Sequence, residues 1–146
     1  MCKNDTKRVL AMVELVVQAT LDNFTKVRDF IDEQLEMHGC RMKQQLQIAV
    51  AVEELFVNIA NYAYTKGLGD ASIGIDFEES PKAVTIVFKD HGIPYNPLAK
   101  SDPDISLSAD KRQIGGLGIF MVKKSMDDLS YEYKDGQNIM TIRKYL

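Results

Sequence analysis

Cysteine and histidine are both scarce in this chain. The two cysteines, Cys2 and Cys40, form no C-x-x-C pair. That excludes a disulfide framework and a cysteine-based zinc site, and it fits a reducing cytoplasm. The two histidines, His38 and His91, are too few and too scattered for a histidine-rich metal centre. Positive charge is not in excess either: 18 Lys and Arg against 21 Asp and Glu leave a formal net charge of −3. Nucleic-acid binders carry a basic surface, so direct nucleic-acid binding is not expected, and neither is basic attachment to a membrane surface. No stretch approaches the roughly 18 unbroken apolar residues of a membrane-crossing helix. The start, Met1 to Arg8, leads into an apolar run broken by Glu14 and carries no convincing signal peptide. Internal repeats and low-complexity linkers are also lacking. What is present is 45% hydrophobic and 27% charged residue, the balance of a folded chain rather than a disordered one. At 146 residues it is large enough for one domain, 1–146, with its own core.

The hydrophobic pattern changes period along the chain. Val9 to Ala19 is rich in Val and Leu and reads as a strand. From Thr20 to His38, Leu21, Phe24, Val27, Ile31 and Leu35 recur at three- and four-residue steps, the spacing of an amphipathic helix. Gly39 is its stop. A second helix is expected from Arg41 to Thr65, with Gly67 and Gly69 after it. Ala71 to Phe77 and Ala83 to Lys89 read as a strand pair across a Glu78–Lys82 turn. His91 to Gly115 follows, a loop of about 25 residues holding Pro94, Pro97 and Pro103; loops this long in a compact domain are usually functional or disordered. Leu117 to Met126 reads as a third helix. Leu129 to Lys134 and Asn138 to Tyr145 then form a closing hairpin across Asp135-Gly136. This order lacks the strict alternation of a doubly wound parallel sheet. It predicts an α+β, two-layer α/β sandwich, with helices on one face of a mixed, mostly antiparallel sheet.

The second helix carries an unusual polar stripe. With Glu54 at zero on a wheel of about 100° per residue, Asn58 falls at about +40°, Asn61 at about −20°, and Gln47 and Thr65 at about +20°. The apolar face, Ile48, Val52, Leu55 and Ile59, lies at about +100° to +160°. A stripe that only faces water is the plain alternative. Such stripes usually carry Lys and Arg, and this one has neither; Asn is also a poor helix-interior residue. Glu54 and Asn58 are an i, i+4 pair whose side chains can converge on one bound group. A carboxylate with carboxamides supplies the oxygen ligands that Mg²⁺ prefers. Glu53, a further 100° or so round, reads as a surface or partner contact.

Two glycine motifs follow. Asp90-His91-Gly92-Ile93-Pro94 closes an apolar strand. It is either a plain turn or a carboxylate able to accept a hydrogen bond from an adenine amino group, with Gly92 letting the ring approach. Gly115-Gly116-Leu117-Gly118 opens an apolar helix, where backbone N–H groups and bare glycines can receive phosphate. No Gly-Lys-Ser/Thr follows, so it is not a Walker loop; it follows a loop and not a strand, so it is not a Rossmann fingerprint.

Taken in order, Glu54-x-x-x-Asn58 on a helix, Asp90-x-Gly92-x-Pro94 after a strand, a long loop and Gly116-x-Gly118 at a helix start resemble the Bergerat-type ATP-binding domain of gyrase, histidine kinases and mismatch-repair ATPases. The resemblance covers nearly the whole chain. Within that superfamily the chain looks most like the anti-sigma factor serine/threonine kinases, through its small size, the run Val52 to Tyr64 and the phrase Gly-Gly-Leu-Gly-Ile-Phe-Met-Val. The resemblance implies a single ATP-binding kinase domain using ATP and Mg²⁺. Glu54 would be the general base, and Asn58 would hold Mg²⁺ against the phosphates, with Asn61 on the same stripe. Asp90 and Gly92 would receive adenine, assisted by Thr141. Gly116 and Gly118 would flank the phosphates. Pro94–Gly115 would be the ATP lid, with Lys111 or Arg112 meeting the γ-phosphate.

The implied function is a cytoplasmic protein serine/threonine kinase. It would sequester a sigma factor and phosphorylate an anti-anti-sigma factor, with a homodimer as the family precedent. A nucleotide-dependent switch that grips a regulator without phosphorylating it is the alternative. A detached histidine-kinase domain is the third reading. It would need a dimerisation helix with a phospho-acceptor histidine, a setting that neither His38 nor His91 has.

Overall fold

The computed structural model describes residues 12–99 and 116–146. Strand β1 (Val13–Gln18) leads through a 3-10 turn at Leu21–Asn23 into helix α1 (Phe24–Met37). Helix α2 (Met42–Tyr62), β2 (Asp70–Glu79) and β3 (Lys82–Asp90) follow. A 3-10 turn at Pro97–Ala99, α3 (Gly116–Ser125), β4 (Asp128–Lys134) and β5 (Gln137–Tyr145) complete the order. The sheet order is β1-β2-β3-β5-β4, and all of its pairings are antiparallel. The expected two-layer α+β sandwich is what is found, but its described strands pair only antiparallel where a mixed sheet was expected, because β5 inserts between β3 and β4 and runs antiparallel to both. Among the described residues no helix is long and apolar enough to cross a membrane.

The boundaries follow local chemistry. Helix α1 ends with Gly39 at φ +69, its N–H on Glu36 O, while the N–H of Cys40 reaches Leu35 O. This pair of bonds satisfies the orphan carbonyls of the last turn. Helix α2 stops at Tyr62 rather than at the expected Thr65. The Ala63 carbonyl accepts the Ile93 N–H at 2.9 Å instead of serving another helical turn. Strands β2 and β3 stay paired out to Glu79 and Lys82, so the expected Glu78–Lys82 turn shrinks to Ser80-Pro81, joined by a cis bond. In the closing hairpin Asp135 and Gly136 both have positive φ, as a two-residue turn of the favoured hand requires. The start of the strand expected at Val9 lies outside the described residues.

Period-2 alternation sends Ile73 and Ile75 of β2, Ile86 and Phe88 of β3, and Met140 and Ile142 of β5 to one face. Onto it pack Val27, Ile31 and Leu35 of α1, Ile48, Val52, Leu55 and Phe56 of α2, and Ile119 and Val122 of α3. Each large side chain buried there contributes about 1.5–3 kcal/mol. Because Asp90 and Asn138 end the same two apolar rows, the alternation that builds the core also turns both toward the helices, at its upper edge.

Candidate functional site

Where the core rows run out, a cleft opens between α2 and the sheet. It holds about 430 Å³ of empty space, part of it open to solvent. Helix α2 supplies Leu55, Asn58, Ile59 and Tyr62, and β3 supplies Phe88 and Asp90. Tyr131 of β4 and Asn138 and Met140 of β5 stand opposite, with Ile93, Tyr95 and Pro97 from the loop. The rings of Tyr62 and Tyr95 lie 6.0 Å apart at the mouth. Apolar and aromatic walls around a buried carboxylate suit a flat heterocycle that offers a hydrogen-bond donor.

Asp90 is 5% exposed, and its bonds fix its orientation. Oδ1 accepts the Gly92 N–H at 2.8 Å and the Asn138 Nδ2 at 2.9 Å. Tyr64 braces the strand end from outside: its hydroxyl donates to Asp70 O and accepts the His91 N–H. Burial raises the Tyr64 hydroxyl above the ordinary tyrosine range, with the nearby charges of Asp90 and Asp70 adding to it, so it remains a donor at neutral pH.

Gly92 is buried against α2, and a Cβ there would run into the backbone carbonyl of Ala63. Backbone cannot swing aside as a side-chain tip can. Gly92→Ala is therefore expected to lower stability by about 1–3 kcal/mol, read from denaturant unfolding curves.

The expected residues divide as follows. Asn58 and Asp90 line the cleft, and Gly92 holds Asp90 from its edge. Glu54 lies one turn before Asn58, half-buried, where α3 crosses α2; its carboxyl group occupies the space that a Cβ on Gly118 would need. Gly116 is the first residue of α3. Asn61 is exposed and is not part of the cleft wall, and Thr65 stands beyond the helix. Glu53 is exposed, as expected of a surface residue. Lys111, Arg112 and most of the Pro94–Gly115 loop lie outside the described residues.

Thr141 is not brought to the cleft. It pairs with Val87 and Ser130 and sits between Met140 and Ile142, so alternation turns it to the opposite face of the sheet. The polar residue that β5 does deliver is Asn138, directly opposite Asp90. Its signal was available: it shares parity with the apolar Met140 and Ile142, so it had to face the same way.

A family model described as "Histidine kinase-like ATPase domain" matches residues 17–144. The chain is 29% identical over 98 residues to the serine/threonine-protein kinase BtrW of Bordetella bronchiseptica, covering 67% of this chain and 68% of that protein. It is 25% identical over 103 residues to the serine-protein kinase RsbW of Listeria monocytogenes, covering 68% and 64%. The match thus spans about two thirds of these relatives' length. Among solved structures, the RsbU and RsbW domains of a Mycobacterium tuberculosis protein superpose with a TM-score of 0.62 at 15% identity, over 92% of this chain and 32% of that one. The SiaB–SiaC complex of Pseudomonas aeruginosa gives a TM-score of 0.59 at 14% identity, over 100% and 96%. These two likenesses concern the fold.

Proposed function

The chain belongs to the histidine kinase-like ATPase domain family, and on that footing we propose that it is an ATP-dependent protein serine/threonine kinase acting as an anti-sigma regulatory factor. It moves the γ-phosphate of ATP to a Ser or Thr of an antagonist protein. The observation that carries this reading is the arrangement along α2: Asn58 in the wall of a cleft that holds the buried Asp90, and Glu54 one turn back against the start of α3. Adenine enters the cleft with its 6-amino group on Asp90. The phosphates extend toward Gly116 and Gly118, where α3 presents its first N–H groups. Glu54 takes the proton from the attacking hydroxyl. The relatives named as serine kinases support the acceptor type. On this reading the partners are the anti-anti-sigma protein that is phosphorylated and a sigma factor that is sequestered, in the cytoplasm, with the chain as one catalytic domain that can pair with a second copy.

Mg²⁺ fits the donors present. This ion keeps several waters and is usually held by one or two protein oxygens together with substrate phosphates, so it needs no protein cage. The half-buried carboxamide of Asn58, in the cleft wall, supplies one such oxygen. The ion would neutralise charge on the phosphates. Asn58→Ala is expected to abolish the tightening of ATP binding by Mg²⁺ and to leave metal-free binding nearly unchanged. Titration calorimetry with and without Mg²⁺ reads this; equal magnesium dependence in wild type and variant would remove Asn58 from the role.

The kinase reading itself is tested by incubating the protein with labelled ATP and candidate antagonist proteins. Phosphoserine or phosphothreonine is then sought on the partner. Label that stays on ATP with every partner offered counts against it.

A further inference from the structure

Asn138 is 6% exposed, and all of its side-chain hydrogen-bonding capacity toward neighbouring groups is engaged. Nδ2 donates to Asp90 Oδ1 at 2.9 Å and to Ile93 O at 2.8 Å. Its Oδ1 accepts the Tyr95 N–H at 3.0 Å and the Tyr131 hydroxyl. Two acceptors on the nitrogen side and two donors on the oxygen side fix the amide in one orientation; flipping it would break all four bonds. Both amide protons are committed, so Asn138 has none to offer a ligand. What it does hold is the Asp90 carboxylate together with the backbone on both sides of Pro94, where the loop leaves the sheet. Burial raises the Tyr131 hydroxyl above the ordinary tyrosine range, helped by the charge of Asp90, so it stays protonated as a donor.

We propose that Asn138 is a positioning residue that sets the base selectivity of the cleft, by locking Asp90 so that a single acceptor oxygen is left for the purine 6-position. Gly92 and Asn138 both saturate Oδ1, and among the described residues neither bonds to Oδ2. A carboxylate held this way accepts from a 6-amino purine and repels the 6-oxo group of hypoxanthine. Once released from Asn138, the carboxylate can rotate, and the root of the loop loses its tie to Ile93 O and Tyr95 N. The 6-amino purine then loses its well-aimed acceptor, while the 6-oxo purine, which never used it, loses little. The inference rests on the proposed nucleotide reading.

The test is the ratio of ATP to ITP affinity, measured by calorimetry on the full chain. Wild type is expected to favour ATP. Asn138→Ala is expected to lower ATP affinity about tenfold, the scale of one hydrogen bond to a charged group, with ITP affinity almost unchanged, so that the ratio falls by about the same factor. Asn138→Asp keeps size and shape but puts an acceptor beside Asp90. It is expected to lower the ratio at least as far, and it serves if the alanine variant does not fold. A merely structural role would lower both affinities together and leave the ratio intact, and that result overturns the proposal. Wild type that binds neither nucleotide would instead sink the nucleotide reading. Wild type that prefers ATP, with the preference retained in both folded variants, sinks only the role of Asn138.

Discussion

Glu54→Gln is expected to lower phosphotransfer to the partner by about 10²–10⁴-fold, roughly 3–5 kcal/mol of barrier at about 1.4 kcal/mol per factor of ten. ATP and partner binding should survive. Glutamine has nearly the same shape, so it can occupy the half-buried space against Gly118 that the carboxylate fills now. It cannot accept the proton that the attacking hydroxyl must lose. The measurement is transfer of labelled phosphate to the partner, with ATP affinity determined on the same preparation. Transfer at the wild-type rate would show that Glu54 is not the base, and the neighbouring Glu53, exposed on the next face of α2, would become the residue to test. If the wild type binds ATP yet phosphorylates no partner, a nucleotide-dependent switch replaces the kinase reading.

Much of this site could be read from the sequence because its parts lie on regular elements. Val27, Ile31 and Leu35 repeat at four-residue steps, and the same periodicity in α2 put Glu54 and Asn58 on one stripe. Asp90 was legible because it ends an apolar strand two residues before Gly92. Strand partnership was not legible, because it is non-local. Nothing near Asn138 states that β5 lies beside β3 rather than beside β4 alone, and only that adjacency sets it opposite Asp90. Thr141 resembles a family threonine in its place on the closing strand, but parity with its own neighbours decides its face. The expected end of α2 at Thr65 failed for a similar reason: the Ala63 carbonyl is taken by Ile93, thirty residues along the chain. Local pattern gives periodicity; it does not give the partner that ends an element or completes a carboxylate's bonds.

Asp90→Asn is expected to weaken ATP binding by about 1.5–3 kcal/mol, roughly 10- to 150-fold, in a protein that remains folded. The two possible orientations of the new carboxamide both fail. If its oxygen stays where Oδ1 is, it keeps the Gly92 N–H and the Asn138 Nδ2 as donors, and its NH₂ group then faces the purine. A donor is set against the 6-amino donor of adenine. If the carboxamide turns over, its oxygen can serve adenine, but its NH₂ group then opposes two donors, one of them on an amide locked by three further bonds. That arrangement leaves buried donors unpaired, at a cost of about 1–3 kcal/mol for each. The first orientation should therefore be the populated one, and it makes a second, directional expectation. A 6-oxo purine presents an acceptor where adenine presents a donor, so the variant should bind ITP better than the wild type does while binding ATP worse. Calorimetry with both nucleotides reads the pair of changes. Unchanged ATP affinity would remove Asp90 from the site, whereas parallel losses for ATP and ITP would mean that the substitution had damaged the cleft rather than reversed its hydrogen-bonding sense.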